Sequence, residues 1–469
     1  MHELKDDRRN FMKSLGILGT GILTGCLSNK EKNSTVWPGR ASGAEYMGTF
    51  SAPPLEKVRC AFIGVGARGF SHVDQFAEIK GVEVVAICDL HKDLVNAAEK
   101  ACKEKHGQNH QNIAKYYGGQ NLWRIMLEEV KPDAVFISTP WHLHAPMAIT
   151  TMEQGAHAFL EVPLATSIND LWRIVDTSEK TRKHCMMMEN CNYGRDELLF
   201  LNMCNQGVIG DLLHGEAAYI HELRWQMNEE NRGTGSWRTY EYAKHNGNLY
   251  PTHGLGPVSQ YMNLSRSKDT FSHLVSLSSP AIGRKKYAIE NYSSDHKWTE
   301  LNFKAGDINT TIIKTVIGKT IMVQWDETSP RPYTRLNMIQ GTKGVLAGFP
   351  TRIALENGIP GITEDFHKWA QGDQLQLIYD KYEHPLYKRL GSLAAKRGGH
   401  GGMDFIMRYR IIECLRKGEP LDQNLYEGCF WSAVVPLTEL SVAKGGAPED
   451  FPDFTRGNWK KTLPVQIVT

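Results

Sequence analysis

Lys57-Val58-Arg59-Cys60-Ala61-Phe62-Ile63-Gly64-Val65-Gly66-Ala67-Arg68-Gly69-Phe70 decides the fold of the first half of this 469-residue chain. Its first seven residues have the length and apolar character of a buried strand. The next six form a complete G-x-G-x-x-G through Gly64, Gly66 and Gly69, and Phe70, Val73, Phe76 and Ala77 then recur at helical spacing. Strand, glycine turn and helix in that order suit a dinucleotide. The glycines permit a tight turn, a close approach of backbone to pyrophosphate and close helix-on-strand packing. The helix start offers unpaired N–H groups to the phosphates. The following apolar run, Val82-Glu83-Val84-Val85-Ala86-Ile87-Cys88, ends at Asp89, twenty residues after Gly69. An acid there binds the ribose hydroxyls and repels a 2′-phosphate, so the expected cofactor is NAD rather than NADP.

The alternation continues downstream. Residues 94–105 and 121–129 read as helices, and residues 133–139 as a strand leading into Pro140-Trp141-His142-Leu143-His144. A helix over 145–154 follows, then a strand over 156–160 that ends in Glu161-Val162-Pro163. This pattern predicts an α/β fold with a doubly wound parallel sheet, a Rossmann domain over residues 57–186. Ligands of such sheets bind at the carboxyl ends of the strands, which puts Ser138, Trp141, His144 and Glu161 beside the cofactor. The spacing of His142 and His144 suits neither a helix-borne metal pair nor a zinc hook. Each reads equally as a loop or capping histidine and as a cofactor contact.

Residues 187–469 read as a second, α+β domain. The stretch 184–193 is apolar and then abruptly polar, a strand that delivers Glu189 and Asn190 to a cleft. Another strand over 214–219 leads into Tyr219-Ile220-His221. Residues 222–248, rich in Gly, Asn and Trp, read as a loop containing Ser236-Trp237-Arg238. Tyr250 and His253, three apart at the start of a helix, face the same way. Two hairpins are expected, over 310–326 and 336–347, with Arg331-Pro332-Tyr333 between them. Amphipathic helices over 403–417 and 424–444 close the chain.

Composition narrows the class. With 41% hydrophobic and 23% charged residues the chain has ample core for two globular domains. A formal charge of +2 gives no case for nucleic acid. Nine cysteines are scattered, without CxxC or zinc spacing. Cys60 and Cys88, in apolar runs, read as buried thiols, and no metal is expected. At the N-terminus, Asp7-Arg8-Arg9-Asn10-Phe11-Met12-Lys13 resembles a twin-arginine export signal. The weakly hydrophobic run 14–25 falls short of the ~20 residues that span a bilayer. Leu23-Thr24-Gly25-Cys26 resembles a lipobox, whose thiol becomes a lipid anchor. Residues 1–26 are thus read as the signal and 27–56 as a tether, for a periplasmic, lipid-anchored protein. The twin-arginine route carries folded proteins, so a cofactor can be loaded before export.

The stretch STPWHLHAPMAITTMEQGAHAFLEVPLA, residues 138–165, resembles the glucose–fructose oxidoreductase and inositol dehydrogenase superfamily. That resemblance implies a Rossmann domain joined to a domain with an open, mainly antiparallel sheet. Where the superfamily has Glu-Lys-Pro, this chain has Glu161-Val162-Pro163, so the lysine that assists simple dehydrogenases is absent. MMMENCNY, AYIHELR, SWR and LYPTHGLGP together resemble glycoside hydrolase family 109, NAD-dependent glycosidases that include α-N-acetylgalactosaminidases. The resemblance implies cofactor contacts at Ala67, Arg68, Asp89, Trp141, His144, Glu161, Val162 and Asn190. It implies substrate contacts at Tyr219, Arg238, Tyr250, His253 and Tyr333, with Glu189 and His221 also in the active site. Arg238 and Tyr333 would clamp the sugar, and His253 or Tyr250 would act as base. No carboxylate pair of the ordinary glycosidase kind stands out. The implied route is oxidation at C3, loss of the C2 proton, elimination of the glycoside oxygen, addition of water at C1 and re-reduction. An exported sugar oxidoreductase and a non-catalytic sugar-binding lipoprotein are the competing readings, and a homo-oligomer is left open.

Overall fold

Two sheets organise the molecule. The computed structural model describes residues 38–106, 110, 112–365 and 367–465. Arg8, Arg9 and Cys26, on which the export reading rests, lie outside the described residues. The first sheet runs β1 (Val58–Ile63), β2 (Val82–Asp89), β3 (Ala114–Tyr117), β4 (Ala134–Ile137), β5 (His157–Leu160) and β6 (Cys185–Met187). All six strands are parallel, in the order β3-β2-β1-β4-β5-β6. The strand order reverses between β1 and β4, and the crevice that opens there is where such sheets bind ligands.

Packing explains why these strands are nearly continuous apolar runs. β4 and β5 are buried at every position. Phe62, Phe136 and Phe159 stack across neighbouring strands at 5.2 and 5.0 Å, and Phe76 from the helix Ala67–Ala77 closes onto Phe136 at 4.0 Å. Two glycines make that closeness sterically feasible. A Cβ at Gly69 would lie 1.8 Å from the Gly64 carbonyl oxygen, and one at Gly64, which has φ +80°, would lie 2.8 Å from the Ser138 carbonyl oxygen.

The second sheet has nine strands, in the order β14-β13-β12-β11-β7-β10-β9-β8-β15. They are β7 (Leu212–Ile220), β8 (Phe271–Ser278), β9 (Asn309–Thr315), β10 (Thr320–Asp326), β11 (Met338–Gly341), β12 (Gly344–Ala347), β13 (Arg352–Leu355), β14 (Ala370–Gln371) and β15 (Glu449–Asp450). Pairing is antiparallel except between β7 and β10, so both expected hairpins, β9–β10 and β11–β12, are present in a mainly antiparallel sheet. The eight described cysteines are free thiols, Cys60 and Cys88 among them. No described helix is long and apolar enough to cross a membrane.

Three local expectations need correction. The stretch 222–248 is not all loop, because Thr234–Lys244 is a helix that carries Trp237 and Arg238. Its Gly235 fits under the Gln226 carbonyl, where a Cβ would lie 1.7 Å from the oxygen, so the glycine-rich composition there reflects packing rather than irregularity. The last helix, Leu425–Ala443, is not amphipathic. Residues 425–435 are buried without interruption, because the helix is wedged between β8 on one side and β6 and the helix Ile168–Thr181 on the other. The tether expected over 27–56 is a packed strap from Arg40 onward. Met47 and Ala52 are buried, and the Met47 and Leu55 N–H groups donate to the Tyr426 hydroxyl and the Leu415 carbonyl.

From Arg40 onward the described residues form one compact unit. Its strap is anchored at Glu179, a fully buried carboxylate that accepts hydrogen bonds from Arg40 (2.9 Å, two nitrogens), Tyr426 (2.5 Å) and Arg456 (2.8 Å). Removing one side of a buried ion pair strands the other. Glu179→Ala is therefore expected to destabilise the protein by about 3 kcal/mol, read as a lower urea midpoint with an unchanged slope. An unchanged midpoint would mean that the strap contributes nothing to the folded unit.

Candidate active site

The glycine turn and the β2 end make the cofactor half of the site. Asp89 accepts hydrogen bonds from the Val65 N–H (2.8 Å) and the His91 N–H (2.9 Å), which fixes its carboxylate beside the turn. A Cβ on Gly66 would meet nothing within 4 Å, so the space above the helix start is open. The first turn of the helix Ala67–Ala77 carries no acidic residue to repel phosphate. Ser138 and Trp141 follow β4 directly, and Trp141 is buried against Trp237 (5.0 Å) and Tyr250 (6.2 Å). An open cradle at Gly66 with an acid at the neighbouring strand end fits a dinucleotide.

His144 is buried, with Nδ1 2.7 Å from the Pro163 carbonyl and Nε2 2.8 Å from the Thr139 carbonyl. It ties the loop after β4 to the turn after β5, and its nitrogens are engaged by backbone rather than offered to a ligand. Glu161 closes that turn. Its Oε1 accepts from Arg68 Nε (2.7 Å) and His72 Nε2 (2.6 Å). Burial pushes the Glu161 carboxyl up, but the Arg68 charge and the His72 bond outweigh it and hold the group well below the usual carboxylate range. Val162 is buried and apolar, so it offers no proton-transfer group in that turn.

The facing wall is built on β7 and the helix Thr252–Tyr261. Gly254 lets that helix sit directly on β7, where a Cβ would lie 2.3 Å from the Ala218 nitrogen. Gly256 likewise faces Glu189, where a Cβ would lie 2.9 Å from its Cγ. These two small residues bring His253, which lies just before the first of them, against both elements. His253 Nδ1 is 2.7 Å from Oε1 of Glu189, which is fully buried. Burial raises the Glu189 carboxyl, yet His253 and the bonds from Thr252 and the Cys191 N–H leave it below its ordinary value. An ionised Glu189 accepts the His253 Nδ1 proton, and in the neutral form of that ring Nε2 carries the lone pair.

Around His253 the expected residues gather. Tyr219 lies 5.3 Å from it and Tyr250 5.0 Å, ring centre to ring centre. The Tyr219 hydroxyl is 3.0 Å from His221 Nδ1, and Tyr333 stands 5.0 Å from the His221 ring. Burial pushes the Tyr219 and Tyr250 phenols well above their ordinary range, so both keep their protons at neutral pH and act as donors. Burial also holds His221 below its usual value against the pull of Glu327 and Glu222, with His253 and His400 lowering it further. The Arg238 guanidinium lies 5.1 Å from the Trp141 ring, 5.4 Å from Trp237 and 5.0 Å from Tyr250, and its buried Nε has no partner. Such a cation is placed to receive a ligand acceptor.

Glu189, Cys191 and His253 are the one group among the described residues that brings three ligand-type atoms within 4.8 Å. Burial keeps the Cys191 thiol protonated, and the Glu189–His253 bond already uses Nδ1. Several residues of the site escaped the sequence reading. Arg335 donates to the Tyr333 hydroxyl (2.8 Å) and pairs with buried Glu197, which positions Tyr333. Asn190 Nδ2 donates to Asp404 Oδ1 (2.7 Å), and Arg68 forks onto both oxygens of Asp404 (2.7 and 3.1 Å). His72 lies between Glu161 and Arg408 Nε (2.8 Å). No local motif marks Asp404 or Arg408; Arg335, two residues past Tyr333, was open to the same alternation argument as any strand residue.

Comparison with known proteins gives the same two halves. A model described as oxidoreductase family, NAD-binding Rossmann fold, matches residues 58–189, and one described as glycosyl hydrolase 109, C-terminal domain, matches residues 193–461. Glycosyl hydrolase family 109 protein 1 of Akkermansia muciniphila is 56% identical, over 98% of each chain. Alpha-N-acetylgalactosaminidase of Shewanella oneidensis is 53% identical, over 100% of each chain. A levoglucosan dehydrogenase solved with NADH and levoglucosan matches with a TM-score of 0.61 at 18% identity, covering 85% of this chain and 100% of that one, which shows the fold alone. NAD is the cofactor, and with relatives this similar along its whole length the chain belongs to glycoside hydrolase family 109.

Proposed function

We propose that this glycosidase cleaves α-N-acetylgalactosaminides, and that it does so by transient oxidation of the sugar rather than between two carboxylates. The observation that carries the reading is the Glu189–His253 pair, set among proton-holding tyrosines of which Tyr250 lies against Trp141 at the end of β4. The name of the Shewanella oneidensis relative supports the sugar. Gly64, Gly66, Ala67, Arg68 and Gly69 would hold NAD, with Asp89 for its ribose, and the bound cofactor would supply reversible hydride exchange with C3 of the sugar. The chain's own residues do the rest. A C3 carbonyl acidifies the C2 hydrogen, and His253 Nε2, with its lone pair held out by Glu189, takes that proton. Tyr219 and Tyr250 donate hydrogen bonds to the sugar oxygens, and Arg238 and Tyr333 hold the ring. The C1–O bond then breaks by elimination and the departing oxygen takes up a proton, water adds its hydroxide at C1 while a solvent-exchanged proton is delivered to C2, and the C3 carbonyl is reduced back to the alcohol. The cofactor ends each turnover as it began.

Export by the twin-arginine route, with a lipid on Cys26 and residence in the periplasm, is the second part of the proposal. Its support is the order of Arg8-Arg9, the weakly hydrophobic run and Leu23-Thr24-Gly25-Cys26 in the sequence. Export of a folded protein with its cofactor loaded explains how an NAD enzyme works outside the cytoplasm, since a cofactor restored every turnover needs no resupply.

Three outcomes are expected. In D2O, p-nitrophenyl α-N-acetylgalactosaminide should release a sugar carrying deuterium at C2 by mass spectrometry. Hydrolysis without exchange would sink the elimination route, and NADH accumulating with product would make the enzyme an oxidoreductase. Glu189→Gln should lower kcat by about 10² with NAD still bound, because the amide no longer fixes the His253 tautomer; an unchanged kcat would remove His253 as the base. Changing Arg8 and Arg9 to Lys should trap the protein in the cytoplasm, as fractionation would show, whereas export of the twin-Lys protein would point to another route.

A further inference from the structure

The run of aromatic rings in the cleft continues past Tyr333. On its inner side Tyr333 adjoins buried Tyr219, ring centre to ring centre 6.2 Å. On its outer side the Phe349 ring lies 5.7 Å away, and Tyr333 itself is 41% exposed. Phe349 sits in the turn between β12 and β13 with φ +54°, a left-handed conformation that a bulky side chain rarely adopts. Such strain persists only where the surroundings enforce it. Here the turn is tied down on three sides. The Gly348 N–H donates to the Asn337 carbonyl (3.0 Å). The Thr351 hydroxyl bonds to Asp196, which also accepts from the Tyr379 hydroxyl (2.6 Å). Arg352 Nη1 donates to the carbonyls of the residues flanking Phe349, Gly348 (3.2 Å) and Pro350 (3.0 Å).

The ring held in this way is not used up by packing. The Arg335 guanidinium lies 4.9 Å from it, yet Phe349 remains 37% exposed. A third ring follows. The Arg352 guanidinium lies 4.9 Å from the ring of Trp369, just before β14, and Trp369 is 38% exposed. Exposed apolar residues scattered singly need no explanation. A connected group that starts at a residue of the sugar site is different, and marks a ligand surface. Three rings with two guanidiniums between them combine flat apolar faces with N–H donors. Pyranose rings offer the complement, apolar C–H faces edged by hydroxyl acceptors.

We propose that Phe349 and Trp369 form a carbohydrate subsite for the leaving group, Phe349 against the sugar joined through the bond that breaks and Trp369 against the sugar after it. The sugar that is oxidised takes the buried end of the run, at Tyr219 and His253, so whatever follows the rings outward is the group attached at its C1. The inference rests on the proposed function, because a glycan chain lies here only if its terminal sugar enters that pocket.

The test uses the full-length, NAD-loaded enzyme and two substrates with the same terminal sugar, methyl α-N-acetylgalactosaminide and a trisaccharide ending in α-N-acetylgalactosamine. The reading is the ratio of their KM values. Phe349→Ala and Trp369→Ala should each raise the trisaccharide KM about tenfold relative to that of the methyl glycoside. Trp369→Phe, which keeps a flat ring, should recover most of the loss. A ratio that neither alanine variant changes overturns the proposal. So does a ratio that rises for a glycopeptide carrying the same sugar on threonine and not for the trisaccharide, since a peptide would then occupy the rings. If the wild-type enzyme cleaves none of these substrates, the proposed function fails instead. Calorimetric titration with the disaccharide that the trisaccharide would release then decides this inference: weaker binding to Trp369→Ala than to wild type supports it, and equal binding overturns it.

Discussion

The Arg68 guanidinium lies between two carboxylates that come from opposite parts of the chain, Glu161 at the end of β5 and Asp404 in the first turn of the helix Met403–Lys417. Arg68 itself belongs to the glycine turn. A partly buried cation is best held where its charge is matched and its N–H groups are used. Here two cations, Arg68 and Arg408, face two anions, Glu161 and Asp404. Burial lowers Arg408 only to about 10, so it stays charged at neutral pH, while His72, lowered by burial to about 4, stays neutral. Neutral His72 donates from Nε2 to Glu161 and accepts at Nδ1 from Arg408, which completes the chain of bonds without adding charge. The rest of the site depends on this balance because the same carboxylates hold Asn190 and close the turn at Val162.

A dehydrogenase fold that performs hydrolysis needs its proton chemistry moved. In this chain the position after Glu161 is an apolar, buried Val162, and a histidine paired with a carboxylate stands on the facing wall, as His253 on the helix Thr252–Tyr261. Gly254 and Gly256 are what let that helix approach both β7 and Glu189. Larger residues there would lift His253 off its carboxylate, so the spacing Tyr-x-x-His-Gly-x-Gly joins chemistry and packing in one short motif.

Much of the cofactor half was legible from sequence because its determinants are contiguous. Strand, G-x-G-x-x-G, helix, second strand and Asp89 occupy little more than thirty consecutive residues, and each step is a local steric or electrostatic requirement. Tyr250 and His253 were legible for a similar reason, being three residues apart, although Tyr250 precedes the helix Thr252–Tyr261 rather than lying on it. Where composition stood in for packing, the reading slipped. Gly233, Gly235 and the nearby asparagines suggested a loop, yet Gly235 is small because the helix Thr234–Lys244 lies on the Gln226 carbonyl. The pattern over 424–444 predicts an amphipathic helix, yet Leu425, Tyr426, Cys429, Phe430, Trp431, Val434 and Val435 cover all sides of the helix Leu425–Ala443, because local spacing does not reveal that both flanks are covered by other elements.

By itself the sequence determined the parallel α/β half, the nicotinamide cofactor and two hairpins through periodicity, turns and the glycine motif, while the antiparallel sheet domain and the set of residues that meet in the cleft were implied by its resemblance to known families. Tertiary structure alone decided which partner each titratable group has. His253 meets Glu189 across 64 residues, and Arg68 meets Asp404 across 336. Those separations lie beyond any local rule, and burial, which sets the protonation state of every one of these groups, exists only once the two sheets and the last helices have closed around them.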